Sequence, residues 1–285
     1  MTSSPARRLW EGVEPIHCVV YFAPEALEAY REAGLKGYWM GYFGSRAAAL
    51  GPVPAAVVQA VFYNFAPRMV ERSIPDAWRL AAPERILAAR HGAADAALRR
   101  LLSGAGAERV EEAASLAQRL CEALPVEGRV LFAAHAALPW PGAAHMRLWH
   151  AATLLREHRA DGHFAALLAE GVDGCEALML QVGSGRVPRE NLEPHRGWTE
   201  AEWDAARERL RTRGLLDGAG AVTDAGAALR THVEQVTDEL ALPRPSPLRD
   251  GEMERLVMLA HDIRRVIDAA EVIPYPNPMG LARAS

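Results

Sequence analysis

The chain has 285 residues, half of them apolar, and carries 32 Lys and Arg against 36 Asp and Glu, a formal net charge of −4. That acid excess removes the global basic footprint of a nucleic-acid binder, and no apolar run reaches the roughly 18 residues of a membrane span. Cys18, Cys121 and Cys175 are far apart, without CxxC or CxxH spacing, so neither a disulfide framework nor structural zinc is indicated. The expected setting is a reducing cytoplasm, with no membrane partner. High Leu, Ala, Arg and Glu content and few β-branched runs point to a mostly α protein, long enough for two parts of roughly 100–150 residues each.

Residues 1–14 are polar, Pro-containing and aperiodic, and are expected to form a mobile lead-in. Residues 16–22, IHCVVYF, start a helix or form a short strand. Pro24 opens a helix over 24–33, which Gly34 closes. Within 37–50, Trp39, Phe43, Ala47 and Leu50 recur at helical spacing as a core stripe. Tyr38 and Tyr42, with Ser45 or Arg46, make a second, polar-tipped stripe. A helix over 54–65 turns Val57, Val61 and Phe65 inward, and Asn64 lands on the same face. A short helix over 67–74 and two plainer ones over 83–102 and 108–124 follow. Pro139-Trp140-Pro141-Gly142 cannot continue a helix and marks the expected domain boundary. It separates a helical N-terminal domain (15–138) from a second domain (139–271), with an extended Pro-rich tail over 272–285.

The stretch 148–168, LWHAATLLREHRADGHFAALL, packs titratable residues into a segment otherwise built as a buried helix. If 148–159 is one helix, Leu148, Ala152 and Leu155 make an apolar stripe with Trp149 and Ala151 on its shoulders. Arg159 projects into the middle of that stripe, Arg156 falls beside Trp149 and His158 beside Ala151, while Glu157 alone points away. A guanidinium taken out of water needs a carboxylate or a ligand as partner. Asp161 and His163 follow across Gly162, read as a breaker. Helices are expected over 174–182, 199–216, 227–240 and 252–270. Thr199-Glu200-Ala201-Glu202 is a capping box. Helix, glycine turn at 217–220, edge strand at 221–223 and helix again is the pattern of a winged helix, so the expected fold is mostly α with a small β wing in the C-terminal part.

The segments GYFGSRAAALGPVPAAVVQAVFYNFAPRMVERSIPDAW, LWHAATLLREHRADGH and RGWTEAEW resemble a SalK-like actinobacterial helix-turn-helix family over roughly residues 15–280. Residues 199–240 are more loosely similar to the winged helix of MarR-type regulators. The resemblance implies a winged-helix-derived fold with a helical partner domain, and a natural-product, resistance or regulatory context. Ala160 departs from the glycine usual between Arg159 and Asp161.

Two functions compete. In the DNA reading the recognition helix is 199–213, where Glu200, Glu202 and Asp204 repel phosphate at the end that should read bases, and Arg207, Arg211 and Arg213 remain as backbone contacts. A homodimer is the arrangement that would build a basic groove from two such helices. In the ligand reading, Arg156, Glu157, His158, Arg159, Asp161 and His163 line one wall of a polar pocket and Tyr38, Tyr42, Arg46 and Asn64 the other, binding a small organic molecule between the halves. His, Asp and Arg there also allow a cofactor-independent acid–base enzyme. A metal bound by His158, Asp161 and His163 is disfavoured by the neighbouring arginines, and neither cofactor nor metal is expected.

Overall fold

The computed structural model describes residues 4–277 and 279–283. Among them the chain forms α1 (Pro5–Phe22), α2 (Pro24–Glu32), α3 (Gly37–Ala47), α4 (Ala55–Phe62), α5 (Pro67–Glu71), α6 (Asp76–Leu80), α7 (Pro83–Leu101), α8 (Ala107–Glu122), α9 (Val130–Ala136), α10 (Ala144–Ala169), α11 (Gly174–Gly183), α12 (Glu200–Thr212), α13 (Asp224–Leu240) and α14 (Glu252–Ala269). No single helix among the described residues is long and apolar enough to cross a membrane.

The first correction concerns the N-terminus. From Pro5 on, the expected lead-in is instead the first turns of α1; its residues 1–3 lie outside the described residues, as do 278 and 284–285 of the expected tail. Ser4 Oγ accepts the Arg7 N–H at 3.0 Å and Pro5 occupies the first turn, where its missing N–H costs nothing. Leu9, Val13 and Ile16 bury from one face. Pro15 sits inside the helix and cannot donate to the Glu11 carbonyl. Arg264 of α14 supplies the lost donor, its Nη1 lying 3.1 Å from that oxygen.

α10 is the second correction. It runs unbroken through Gly162, and α1, α7, α8, α9 and α13 pack around it. Gly162 serves a close approach rather than a break: a Cβ there would lie 2.1 Å from Arg129 Nη1, which donates to the His158 carbonyl at 2.7 Å. Because α10 is walled in on several sides, Glu157 does not point to solvent; its exposure is 0%. A helical-wheel reading presumes one wet face, and this helix lacks one there.

The small β wing is the third correction. Among the described residues there is no strand, only an isolated antiparallel bridge between Leu216 and Val222. Asp217 explains why. Its Oδ1 accepts the N–H groups of Ala219 and Ala221, each at 2.9 Å, closing the turn on itself. Val222 N–H then donates to the Gly183 carbonyl, and Thr223 already caps α13. One residue pair is left, too few for a ladder.

Two apolar cores result. One gathers the helices from α1 to α9, α10 up to Leu155, and α14; the other begins at Ala166 and reaches Val233 in α13. Residues 156–165 of α10, the polar stretch, lie where one core stops and the next has not begun. All three cysteines are buried and free.

Candidate functional site

At that seam is a cavity of about 790 Å³, walled by α1, α3, α4, α10 and α13 and by the loop after α11. Seven arginines line it, Arg7, Arg46, Arg156, Arg159, Arg186, Arg196 and Arg230, against two lining carboxylates, Glu14 and Glu234. Glu157 and Asp238 add charge from behind, so cations still outnumber acids. Tyr38, Trp39, Tyr42, Phe62 and Phe65 form an aromatic side.

The charges form two clusters. In the first, buried Glu157 accepts from Arg46 Nη2 at 2.9 and 3.0 Å and from Arg156 Nη1 at 2.6 Å. Arg46 also donates to the Tyr42 hydroxyl at 2.7 Å and lies 4.3 Å from the centre of the Phe62 ring. Glu14 accepts from Trp10 Nε1 at 3.2 Å, and its other oxygen is 3.7 Å from Arg156 Nε. Burial pushes both carboxyls up, but the outcomes diverge. For Glu157 the two guanidiniums overcome burial and hold it far below the usual carboxylate range. Burial wins for Glu14, opposed by Arg156 and reinforced by the charge of Glu157, so its pKa is raised. The cluster thus holds two carboxyls shifted in opposite directions, Glu157 downward and Glu14 upward.

The second cluster joins Arg7 and Arg159 to Glu234 and Asp238. Arg7 pairs with Glu234 and lies 3.2 Å from Asp238; Arg159 lies 3.3 Å from Glu234 and 2.7 Å from Asp238. Trp10 stands between the clusters, with the Arg7 and Arg159 guanidiniums 5.7 and 5.4 Å from its ring centre. His163 Nδ1 is 3.0 Å from Thr237 Oγ1, which itself donates to the Val233 carbonyl. Nδ1 therefore carries the hydrogen and Nε2 is a lone pair. Burial keeps this imidazole below its ordinary pKa, hence neutral. Neither Arg186 nor Arg230 is in an ion pair among the described residues, and burial and Arg186 together depress the pKa of Arg230 against the opposing charge of Glu234.

Of the ten residues expected to bind a ligand, Tyr38, Tyr42, Arg46, Asn64, Arg156, Arg159 and His163 line the cavity. Glu157 stands behind its wall. His158 and Asp161 face elsewhere: His158 meets the Phe132 ring edge-on at 4.9 Å, and Asp161 Oδ2 accepts the Phe132 N–H at the start of α9. Burial raises Asp161 to about 6 against that hydrogen bond. The metal arrangement of His158, Asp161 and His163 is therefore scattered over different neighbours, and no group of three His, Cys, Asp or Glu among the described residues is placed to hold a metal ion.

On α12, four acids accompany three arginines. Arg207 donates to Asp204 at 2.8 Å and Arg211 to Glu208 at 3.1 Å, while Arg213 caps the Gly171 and Glu170 carbonyls, both at 2.8 Å. Each of the arginines expected to touch DNA thus already has a partner.

Sequence reasoning missed the wall made by α1, namely Arg7, Trp10, Glu14 and Tyr21. The signal was there: spacings of three, four and seven residues put these four on one helical face. Arg186, Arg196, Arg230 and Glu234 had no such local signature.

A family model described as a helix-turn-helix family matches residues 6–274. No curated protein and no solved structure matches the chain.

Proposed function

We propose that this chain, which belongs to a helix-turn-helix family, binds a small organic anion with an apolar or aromatic body in the cavity between its two cores. The cation excess of the cavity wall carries this reading: seven lining arginines face four carboxylates counted with those behind the wall. Buried guanidiniums need counter-charge, and an anion supplies it. The aromatic rings beside them suit the rest of such a molecule. The SalK-like likeness supports a natural-product, resistance or regulatory setting.

Arg186 and Arg230 provide the cleanest test, because removing an unpaired cation orphans no carboxylate. In a thermal-shift screen of aryl carboxylates and phosphates, the intact chain is expected to be stabilised by at least one compound. The double variant Arg186→Ala, Arg230→Ala should fold normally and lose about tenfold in affinity. A screen in which no anion shifts the melting temperature counts against the reading.

Family membership favours a second reading, a DNA-binding regulator. The charge neutralisation along α12 weighs against it, since a phosphate must displace an existing carboxylate from each arginine. A mobility-shift assay at low salt with DNA from upstream of the protein's own gene is expected to show no retardation. Retardation lost in Arg207→Ala, Arg211→Ala would establish the regulator reading instead.

A further inference from the structure

Three side chains behind the aromatic wall form a hydrogen-bonded row that ends at the cavity. Thr153 Oγ1 donates to the Trp149 carbonyl at 3.0 Å, so toward His17 Nδ1, also at 3.0 Å, it acts as acceptor. His17 is fully buried beside Arg156 and Arg90, and burial foremost keeps the ring uncharged. A neutral imidazole has one N–H. With Nδ1 as donor, Nε2 is a lone pair, and the Tyr21 hydroxyl 2.6 Å away donates to it. This tautomer follows from the network of partners. Tyr21 makes no other hydrogen bond among the described residues, so its oxygen offers only lone pairs to the cavity it lines.

Tyr42 has the opposite polarity. Its oxygen accepts from Arg46 Nη1, which leaves its own O–H to donate, and no acceptor for it is present among the described residues. The Tyr21 and Tyr42 ring centres are 5.1 Å apart. Arg156 lines the same cavity, and its Nη2 makes no hydrogen bond among the described residues. An acceptor, a donor and a guanidinium are therefore grouped on one wall.

Resting on the organic-anion reading above, we propose that this wall selects acids with a hydrogen-bond donor, a hydroxyl or N–H, adjacent to the carboxylate. Arg156 and Tyr42 take the carboxylate, and Tyr21 takes the neighbouring donor. Thr153 and His17 are positioning residues that act through Tyr21. An acid lacking the donor leaves the Tyr21 lone pairs dry and unmatched, which is the arrangement that discriminates most strongly between near-identical ligands.

The test uses 3-phenyllactate and 3-phenylpropionate, which share ring and carboxylate and differ in one hydroxyl. Binding to the full chain is followed by titration calorimetry and by fluorescence of Trp10 and Trp39, both at the cavity. The hydroxy acid is expected to bind about tenfold more tightly. In Tyr21→Phe the preference should fall to about twofold, chiefly because 3-phenylpropionate binds more tightly once no unmatched oxygen is left beside it. Should Tyr21→Phe fail to fold, Thr153→Val gives the same readout without touching the cavity surface: His17 loses the acceptor that fixes its tautomer, and the preference should again collapse. Equal affinity for the two acids in the unmodified chain, or a preference that survives both variants, overturns the donor selection and leaves the organic-anion reading standing. Binding of neither acid at about 10 mM overturns the donor selection, and the organic-anion reading is then decided by the thermal-shift screen.

Discussion

Replacing Glu157 with alanine is expected to lower folding stability by about 3–5 kcal/mol, because it leaves the Arg46 and Arg156 guanidiniums buried together without their shared carboxylate. The side chain is wholly inaccessible, so little of this is relieved by solvent. Urea unfolding at neutral pH measures it, and a loss below about 1 kcal/mol would mean that the two cations are satisfied by something other than Glu157. The same carboxylate sets an acid limb. Its folded pKa lies below the ordinary 4.5, the two guanidiniums prevailing over burial. Its contribution is therefore complete above pH 4.5 and is lost as the pH falls below that value toward the folded pKa. Glu14 works the other way: its folded pKa is raised by burial, so its contribution is complete below 4.5 and fades as the pH rises through the folded value. Glu157→Gln should flatten the loss of stability below pH 4.5, and an unaltered acid limb would exclude Glu157 as its source.

Gly174→Ala is expected to destabilise by about 3 kcal/mol, toward the upper end of overpacking costs. Helix propensity alone argues for a gain. The clash decides otherwise: a Cβ at residue 174 would lie 2.1 Å from the Tyr63 carbonyl oxygen. Neither side can retreat. The start of α11 is fixed by the reciprocal capping box of Asp173 and Glu176. Tyr63 is held by its hydroxyl, which donates to the Val172 carbonyl, and by a stacked contact with Phe164 at 5.1 Å. Asn64, next in sequence, lines the cavity, so the variant should also weaken anion binding. Thermal melts of the variant with and without a bound anion check both effects, and a melting temperature at or above that of the unmodified chain would refute the clash.

Local chemistry made much of the helical frame readable. Pro24 at the start and Gly34 after the end bracket α2, Gly51-Pro52 closes the segment that begins as α3, and the capping box at Thr199 marks α12. Tyr38, Tyr42 and Arg46 stood out as a polar-tipped stripe beside an apolar one, which is the local mark of a helix lining a wet cavity. What escaped was set by distant partners. Residues 1–14 read as polar, Pro-containing and aperiodic, and the donor that lets α1 continue through Pro15, Arg264, is supplied by α14. Glu157 was placed on the wrong side because a periodicity argument cannot know that a helix is covered all around. The wing failed on hydrogen bonds that the turn pattern does not encode, the Asp217 carboxylate turned inward and the Val222 N–H directed to Gly183.

The pairing of Arg7 and Arg159 with Glu234 and Asp238 has a temporal meaning as well. Arg7 precedes Asp238 by more than 200 residues, and synthesis proceeds at about 5–20 residues per second. For at least ten seconds or so, α1 exists with Arg7 still hydrated and its acids unmade. Such distant closure is slow. The cavity therefore takes shape late, and a nascent chain already helical through α10 has no complete cavity wall until α13 arrives, followed by Pro274, Pro276 and Met279, which also line it.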